Sequence, residues 1–285
     1  MLLPGRTSRA TVTFQPDRDF DARGVRAVLR CVERWRYDAT EQTATAGGGM
    51  SARRVTRTGE DEVHAASWQL SGPTSFQSGQ PQSWRFEIEV PGLGPASFEG
   101  EELRCDWTLE AVIDRAMALD ESSTWHVHVA QPAALLRAGV VATGMYGLFE
   151  EAPANVGALP AQIRLEPVPL NLWAPFSGSF TVETAEPIQL QEVRLELRVA
   201  VEVTVRGGRR EEIRVGSGRL ERGPVAFGGL LSAHPFAGDA PNAWLPSIDL
   251  PHGRARATFH VILAQAWARD THYTRDVAVA TTDLL

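Results

Sequence analysis

Apolar and polar residues alternate along several long stretches of this chain. From Leu103 to Ile113 every second residue is apolar, and most of the residues between them are charged or polar. Period-two alternation predicts a β-strand with one face in a core and the other in water. The same pattern runs from Trp84 to Val90 and, further along, from Val193 to Val205. With a short strand from Trp125 to Val129, these stretches predict an all-β chain.

Shorter stretches add further strands, and the two halves of the chain repeat one order. The additional strands are predicted at Val12–Phe14, Val25–Cys31, Val63–Leu70 and Val277–Val279, with a return strand through Ile213 and Val215 after a two-residue hairpin turn at Gly207-Gly208. In each half an apolar strand is followed by a proline, a loop, a long strand and a final short strand. This repetition predicts two β-sandwich domains of one type in tandem.

The middle of the chain differs in composition from both halves. Residues 133–149 are rich in Ala, Gly and Leu and predict either a short helix or a packed connector. Residues 150–160 have the composition of a linker. We therefore predict a first domain at residues 1–131, a connector at 132–160 and a second domain at 161–285.

Length, charge and composition narrow the classes of function. The chain has 285 residues, enough for one large or two ordinary domains, and 43% of them are hydrophobic, enough for a substantial core. Its net charge of −7 disfavours nucleic acid and acidic membranes as partners. No stretch has the length and charge-free character of a membrane span, and the first residues lack the apolar core of a signal peptide. These features predict a cytoplasmic protein.

The two cysteines, Cys31 and Cys105, each fall on the apolar phase of a predicted strand. A disulfide between sheets would be typical of immunoglobulin domains, but the Trp that accompanies it is missing at the expected spacing. In the inferred reducing compartment, two buried free thiols are therefore predicted.

The tandem arrangement and several short motifs resemble the arrestin-like superfamily. The motifs in the first half are F-x-I-x-V-P at Phe86–Pro91, P-x-S-F-x-G at Pro95–Gly100 and the long strand at Leu103–Arg115; those in the second half are Phe180–Val182, Leu195–Leu197, Leu245-Pro246 and Phe259–Asp270. The resemblance implies two tandem immunoglobulin-like, arrestin-type β-sandwiches. It also implies a non-enzymatic adaptor or regulatory role through binding to other proteins, and bacterial sporulation-control relatives are closest in style.

The start of the chain departs from that family pattern. Only Met1–Leu3 precede Pro4-Gly5, where family members usually carry a full strand. Either that strand is clipped, for instance by a misassigned start, or the sheet has an open edge near residues 1–14. Such an edge recruits a strand from a partner protein or pairs with a second copy of the chain.

Asp114 and Arg115 stand at the end of the long strand of the first half. If this end of the strand faces the second domain, the two side chains form a polar contact between domains. The alternative is an ordinary ion pair on the surface.

Catalytic and cofactor chemistry finds little support in the sequence. The chain lacks the G-x-S-x-G, H-E-x-x-H and phosphate-loop motifs, and the glycine-rich stretch at 43–49 predicts an exposed hairpin tip. His126 and His128 stand two residues apart on the wet face of a strand, where they could share a metal ion, but no third ligand can be named. We therefore predict no enzymatic activity and no cofactor. The alternatives are a sandwich that binds a sugar or small ligand through exposed Trp side chains, and a metal-dependent enzyme that uses the two histidines.

Overall fold

The computed structural model describes residues 1–44, 50–115, 118–137, 140–141, 144–145, 161–182, 188–227, 233–266 and 269–284. These residues form twenty strands and one helix of five residues. Within these ranges, no helix has the length and apolar character needed to cross a membrane.

The first half of the chain folds into two packed sheets. Its strands are β1 (Thr7–Phe14), β2 (Phe20–Ala44), β3 (Met50–Ser71), β4 (Thr74–Phe76), β5 (Gln82–Glu89), β6 (Phe98–Glu99), β7 (Leu103–Arg115) and β8 (Glu121–Val127). One sheet is the pair β1-β5; the other has the order β3-β2-β7-β6, with β4 paired to β2 and β8 paired to β7. Inward-facing Leu29, Ile88 and Trp107 are buried in the core of this sandwich.

The second half has the same kind of arrangement. The connector contributes α1 (Ala133–Arg137), β9 (Val140–Val141) and β10 (Gly144–Met145), and the strands that follow are β11 (Ala161–Glu166), β12 (Leu170–Asn171), β13 (Phe176–Val182), β14 (Ile188–Val203), β15 (Arg210–Phe227), β16 (Ala233–Gly238), β17 (Ile248–Asp249), β18 (Gly253–Ala264), β19 (Thr271–Val277) and β20 (Val279–Ala280). One sheet has the order β11-β13-β16. The other has the order β15-β14-β18-β17 with β19 paired to β18, and the short β12 pairs with β20.

The two halves match element by element at a constant offset in sequence. The strands β6, β7 and β8 precede β17, β18 and β19 by the same distance along the chain, measured between their first residues. In each half a serine hydroxyl accepts the backbone N–H of a valine 32 residues further on, in the pairs Ser97–Val129 and Ser247–Val279. The predicted tandem of β-sandwiches is therefore confirmed. The domain bounds of 1–131 and 161–285 stay a prediction.

Buried apolar residues form one continuous cluster that runs through both sandwiches. The sandwiches meet closely where fully buried Leu103 packs on Gly253, because a methyl group on Gly253 would lie 2.7 Å from Leu103 Cδ1. A second, smaller cluster within the first sandwich consists of Ala22, Val25, Phe76 and Ile113.

The hairpin formed by β2 and β3 is much longer than the predicted strands at Val25–Cys31 and Val63–Leu70. The two strands have 25 and 22 residues. Beyond Cys31 the apolar alternation fades, and ion pairs join the strands, as in Arg34–Glu60, Arg54–Asp38 and Arg57–Glu41. Most residues from Ser51 to Glu62 on β3 are exposed, and Glu33 and Trp35 on β2 bind the second sandwich, so this part of the hairpin lacks the sequence pattern of a half-buried strand. Of the predicted tip at 43–49, residues 45–49 lie outside the described residues.

The predicted two-residue hairpin turn at Gly207-Gly208 is wrong. β14 ends at Val203 and β15 begins at Arg210, so residues 204–209 form the connection. The connection is longer than predicted because its backbone binds β2 and the segment ahead of β18. Asp38 donates its N–H to the Gly207 carbonyl at 2.8 Å, and Thr204 donates its N–H to the His252 carbonyl at 2.8 Å.

Candidate functional site

The outer edge of β1 is the first candidate site. β1 pairs with β5 from Thr7 to Phe14, and no other described strand pairs with it. Ahead of β1, isolated bridges hold Leu2 against Val129 and Pro4 against Val90. The open edge expected near residues 1–14 is therefore present over β1, within the described part of the chain. Unpaired N–H and C=O groups on such an edge can bind an incoming strand.

An apolar groove lies beside this edge, where the two sheets of the first sandwich part. It has a volume of about 280 Å³. Its walls are β1 on one side and β8 on the other, with β5 and the small second core below. The side chains that define it most are Val12, Phe14, Trp84, Ile113, Ser123 and Trp125. Trp125 is 45% exposed, unusually high for a large apolar side chain beside a core.

Ion pairs of the first sandwich border the groove. Glu121, which also lines it, accepts a hydrogen bond of 2.6 Å from Arg115 Nη1. The Arg115 guanidinium lies 4.6 Å from the centre of the Phe20 ring. Asp114 at the same strand end pairs with Arg23 of β2.

The expectation that Asp114 and Arg115 lie where the domains meet is therefore wrong. Both side chains bind partners within the first sandwich, at one end of β7. The contacts to the second sandwich lie at the opposite end of β7, around Leu103. There the loops ahead of β7 and β18 pack the two sandwiches together. The alternative interpretation, an ordinary ion pair near the surface, describes both residues.

A buried carboxylate at the junction of the sandwiches is the second candidate site. Glu33 on β2 is fully buried. Its Oε1 accepts the backbone N–H of His252 at 3.0 Å, and its Oε2 lies 2.9 Å from His252 Nδ1. Burial raises the pKa of Glu33 above its usual range, although the hydrogen bonds from His252 lower it in part. The Glu33 side chain therefore joins the two sandwiches, although its burial disfavours the charged form of the carboxylate.

Trp35 completes this contact. Its ring stacks on the His252 imidazole with 3.8 Å between centroids and an interplanar angle of 12°. The Trp35 ring also lies against Gly59 of β3, where a Cβ would come within 2.4 Å of the indole ring. Only a glycine allows so close an approach, and His252 is thereby held between an aromatic ring and a carboxylate.

Further polar contacts extend the junction. Glu211 of β15 accepts the backbone N–H groups of Glu101 and Glu102 at 3.0 and 3.1 Å through Oε2. Arg209 Nη2 lies 3.3 Å from Oε1 of Glu102, which is itself almost completely buried. Each sandwich thus supplies charged groups to loops of the other, which favours a fixed relative placement.

The two cysteines occupy the core of the first sandwich, as predicted. Both thiols are free and buried, and their Sγ atoms are 3.2 Å apart on the neighbouring strands β2 and β7. The hydrogen bond with Cys31 and burial together raise the pKa of the Cys105 thiol well above its usual value. A protonated, enclosed thiol is a poor nucleophile.

The two candidate metal ligands do not sit in equivalent places. His126 is exposed on β8. His128 follows the end of β8 and stacks on Trp244 of the second sandwich, with centroids 4.3 Å apart at 9°. Among the described residues, no group of three His, Cys, Asp or Glu side chains is placed to hold a metal ion. The sugar-binding alternative stays a prediction; of the Trp side chains in the described ranges, Trp125 and Trp173 are exposed.

Glu33 and His252 are not among the site residues predicted from the sequence. Glu33 continues the inward-facing phase of the strand predicted to end at Cys31, and a carboxylate on an apolar phase was a signal that could have been used. For His252 no local signal exists, since its partner lies 219 residues away in the chain.

Comparison with known families identifies the first sandwich. The family model described as Arrestin (or S-antigen), N-terminal domain, matches residues 4–135. This match covers every strand of the first sandwich and ends within α1. No curated protein matches the chain.

Proposed function

We propose that this chain, which belongs to the arrestin-like superfamily through its N-terminal domain, is a non-enzymatic adaptor or regulatory protein that binds other proteins. The binding surface in this proposal is the edge of β1 together with the groove beside it. The single observation that carries the proposal is that, among the described strands, only β5 pairs with β1, while an apolar groove opens next to it.

Two physical properties of this edge support a binding role. A strand edge provides main-chain hydrogen bonds, which give affinity, and adjacent pockets provide contacts to alternate side chains, which give selectivity. Both are present here within one sandwich. Arrestin-type sandwiches are in general binding modules, and the proposal assigns no catalytic role to any residue.

The proposal places the protein in the cytoplasm, with a regulatory role similar to that of the bacterial sporulation-control relatives. The net charge of −7 favours protein over nucleic acid as the partner class. The fixed junction between the sandwiches would present the edge of β1 on a rigid body.

A photo-crosslinking experiment tests the proposal. We would replace exposed Thr11 on β1 with p-benzoylphenylalanine and, as a matched control, replace exposed Thr58 on β3. Irradiation in cells should give protein adducts from position 11 that are absent from position 58. The captured protein is then purified and titrated against the unmodified chain. Equal adducts from both positions, or a captured protein that fails to bind in the titration, would contradict the proposal.

A further inference from the structure

A second groove opens in the second sandwich, between β15 of one sheet and β16 of the other. It has a volume of about 200 Å³. Among the described strands, β15 pairs with β14 alone and β16 with β13 alone, so the groove lies between two sheet edges. The apolar side chains that define it most are Phe176, Leu195, Leu197, Pro241 and Phe259. Because Leu195, Leu197 and Phe259 belong to the buried core, the second groove reaches the core of the sandwich.

Two glycines of β15, Gly216 and Gly218, keep the second groove open. They stand opposite Leu197 and Leu195 of β14, on the inward face of the sheet. The backbone does not require a glycine at either position, since neither has a positive φ and an added Cβ would lie at least 3.7 Å from its neighbours. A glycine inside a strand weakens the strand and often marks a place where a ligand comes close to the backbone.

The equivalent of Gly218 in the first sandwich is a tryptophan. Gly218 stands opposite Leu195, and Trp68 of β3 stands opposite Ala27 of β2. Leu195 and Ala27 are equivalent, because their partners on β18 and β7 are related by the constant offset of the repeat. Trp68 and Gly218 therefore occupy the same place in the two sandwiches.

The Trp68 ring packs between the two sheets of the first sandwich. Its centroid lies 5.7 Å from that of the Phe86 ring on β5, and the side chain packs against the core. In the second sandwich the equivalent of Phe86 is Phe236, which stacks instead on Phe259 with centroids 5.4 Å apart. Gly218 supplies no ring to this place, so a volume next to β15 stays open.

We propose that the second groove binds a small cationic ligand with an aromatic ring of indole size, of the arylalkylamine class. The ring lies between β15 and β16, as the Trp68 ring lies between β3 and β5. Sites for drug-sized ligands have roughly 300–1,000 Å³, so a groove of about 200 Å³ takes a single ring system. The inference is independent of the proposed function, because it concerns the other sandwich.

Two phenylalanine rings favour an aromatic over an aliphatic ligand. Phe176 and Phe259 both line the second groove and lie edge to face, with centroids 5.9 Å apart at 87°. Edge-to-face and offset-stacked contacts between aromatic rings contribute more than their buried area alone.

The charge of the ligand follows from the rim of the second groove. Asp239, directly after β16, is exposed, and it is the only charged residue among the described residues that line the groove. An ammonium group on a short chain from the ring is attracted to this carboxylate, whereas a carboxylate on the same chain is repelled. The net charge of −7 acts in the same direction.

Calorimetric titration of the full chain with three ligands tests this chemistry. Tryptamine, indole and indole-3-acetate share one ring system and differ in charge. We expect saturable binding of tryptamine that is several-fold tighter than that of indole-3-acetate, with indole between them, and differences that shrink as salt is added. Asp239→Asn should remove most of the difference. Equal affinities of the three ligands for the wild type, or no saturable binding of tryptamine, would overturn the inference.

Variants of the chain locate the binding. Gly218→Trp should weaken tryptamine binding about tenfold or more, whereas Gly72→Trp, at an exposed glycine with no atom near its Cβ position, should leave the affinity unchanged. Equal melting temperatures show that both variants fold. Gly218→Val, with a smaller side chain that suits a strand, should weaken binding in the same direction and replaces Gly218→Trp if that variant does not fold. Unchanged affinity in the folded variant would overturn the inference, since the ligand would then lie elsewhere.

A fourth ligand separates a small amine from a tryptophan of a partner protein. N-acetyltryptophanamide carries the same ring without the ammonium group, as a Trp side chain within a protein does. It should bind no more tightly than indole. Tighter binding than that of tryptamine would overturn the inference, because the second groove would then recognise a protein segment.

Discussion

The contact between Glu33 and His252 makes a quantitative prediction about what holds the sandwiches together. Glu33→Ala removes a buried carboxylate that accepts two hydrogen bonds, at 3.0 and 2.9 Å, from His252. Each hydrogen bond to a charged group contributes about 1.5–3 kcal/mol, so the two together contribute about 3–6 kcal/mol. Part of this loss is offset because the variant no longer buries a charge. We expect a net decrease of about 3 kcal/mol in the free energy of unfolding.

The matched control is Glu62→Ala on β3. Glu62 is about half exposed and its carboxylate lies 3.7 Å from Arg30, so the change should cost less than about 1 kcal/mol. Urea unfolding followed by tryptophan fluorescence measures both variants. Because a weakened junction can separate the unfolding of the two sandwiches, a second transition in Glu33→Ala would agree with the account. A loss in Glu33→Ala no larger than that of Glu62→Ala would refute the reasoning.

The raised pKa of Glu33 fixes the sign of the pH dependence. A group whose pKa is higher in the folded chain than in the unfolded chain stabilises the fold fully below the unfolded value and loses that contribution as pH rises through the folded value. The free energy of unfolding of the wild type, minus that of Glu33→Gln, should therefore decrease as pH rises above about 4.5. A difference that grows over this range would show that the hydrogen bonds from His252, rather than burial, control the titration of Glu33.

The remaining predictions concern the junction turn and the core thiols. Gly207→Ala should lower the free energy of unfolding in urea by about 1–3 kcal/mol more than Gly79→Ala does. Both glycines have φ near +70°. A Cβ on Gly207 would lie 2.2 Å from the Asp38 carbonyl oxygen, whereas a Cβ on Gly79 would meet no atom within 4 Å. An equal decrease in stability for both variants would contradict the close contact between Gly207 and Asp38 on β2. Cys31 and Cys105 should both resist an aromatic disulfide reagent in the native chain and both react in urea, because the thiols are buried; fast reaction of either in the native chain would contradict their placement.

Local sequence pattern predicted most of the strands because each half-buried strand carries its own signal. Leu103–Ile113 lies within β7, and the alternation from Val193 covers β14 to its end at Val203. The pattern failed where tertiary contacts decide the structure. The outer part of the β2–β3 hairpin is held by ion pairs across the strands, and the connection at 204–209 is held by contacts with β2 and the segment ahead of β18.

The candidate sites were less predictable than the fold. An open edge was expected near residues 1–14, and among the described strands only β5 pairs with β1. The groove required knowledge of which strands face each other, because Val12 and Trp125 are far apart in the chain. Asp114 and Arg115 were assigned to the wrong end of the sandwich, since alternation fixes which face a side chain is on and says nothing about which end of a strand meets the second sandwich.

The most direct test of the open edge is residue-resolved amide hydrogen exchange of the free chain by NMR. β1 pairs with β5 as β13 pairs with β16, with Ala10 facing Phe86 as Gly178 faces Phe236. Among the described strands, β13 is paired on both sides and β1 on one. The account predicts that alternate amides of β1, those that do not bond to β5, exchange about tenfold or more faster than the amides of β13. Uniform protection along β1, equal to that of β13, would contradict the account, because a strand would then already occupy the edge.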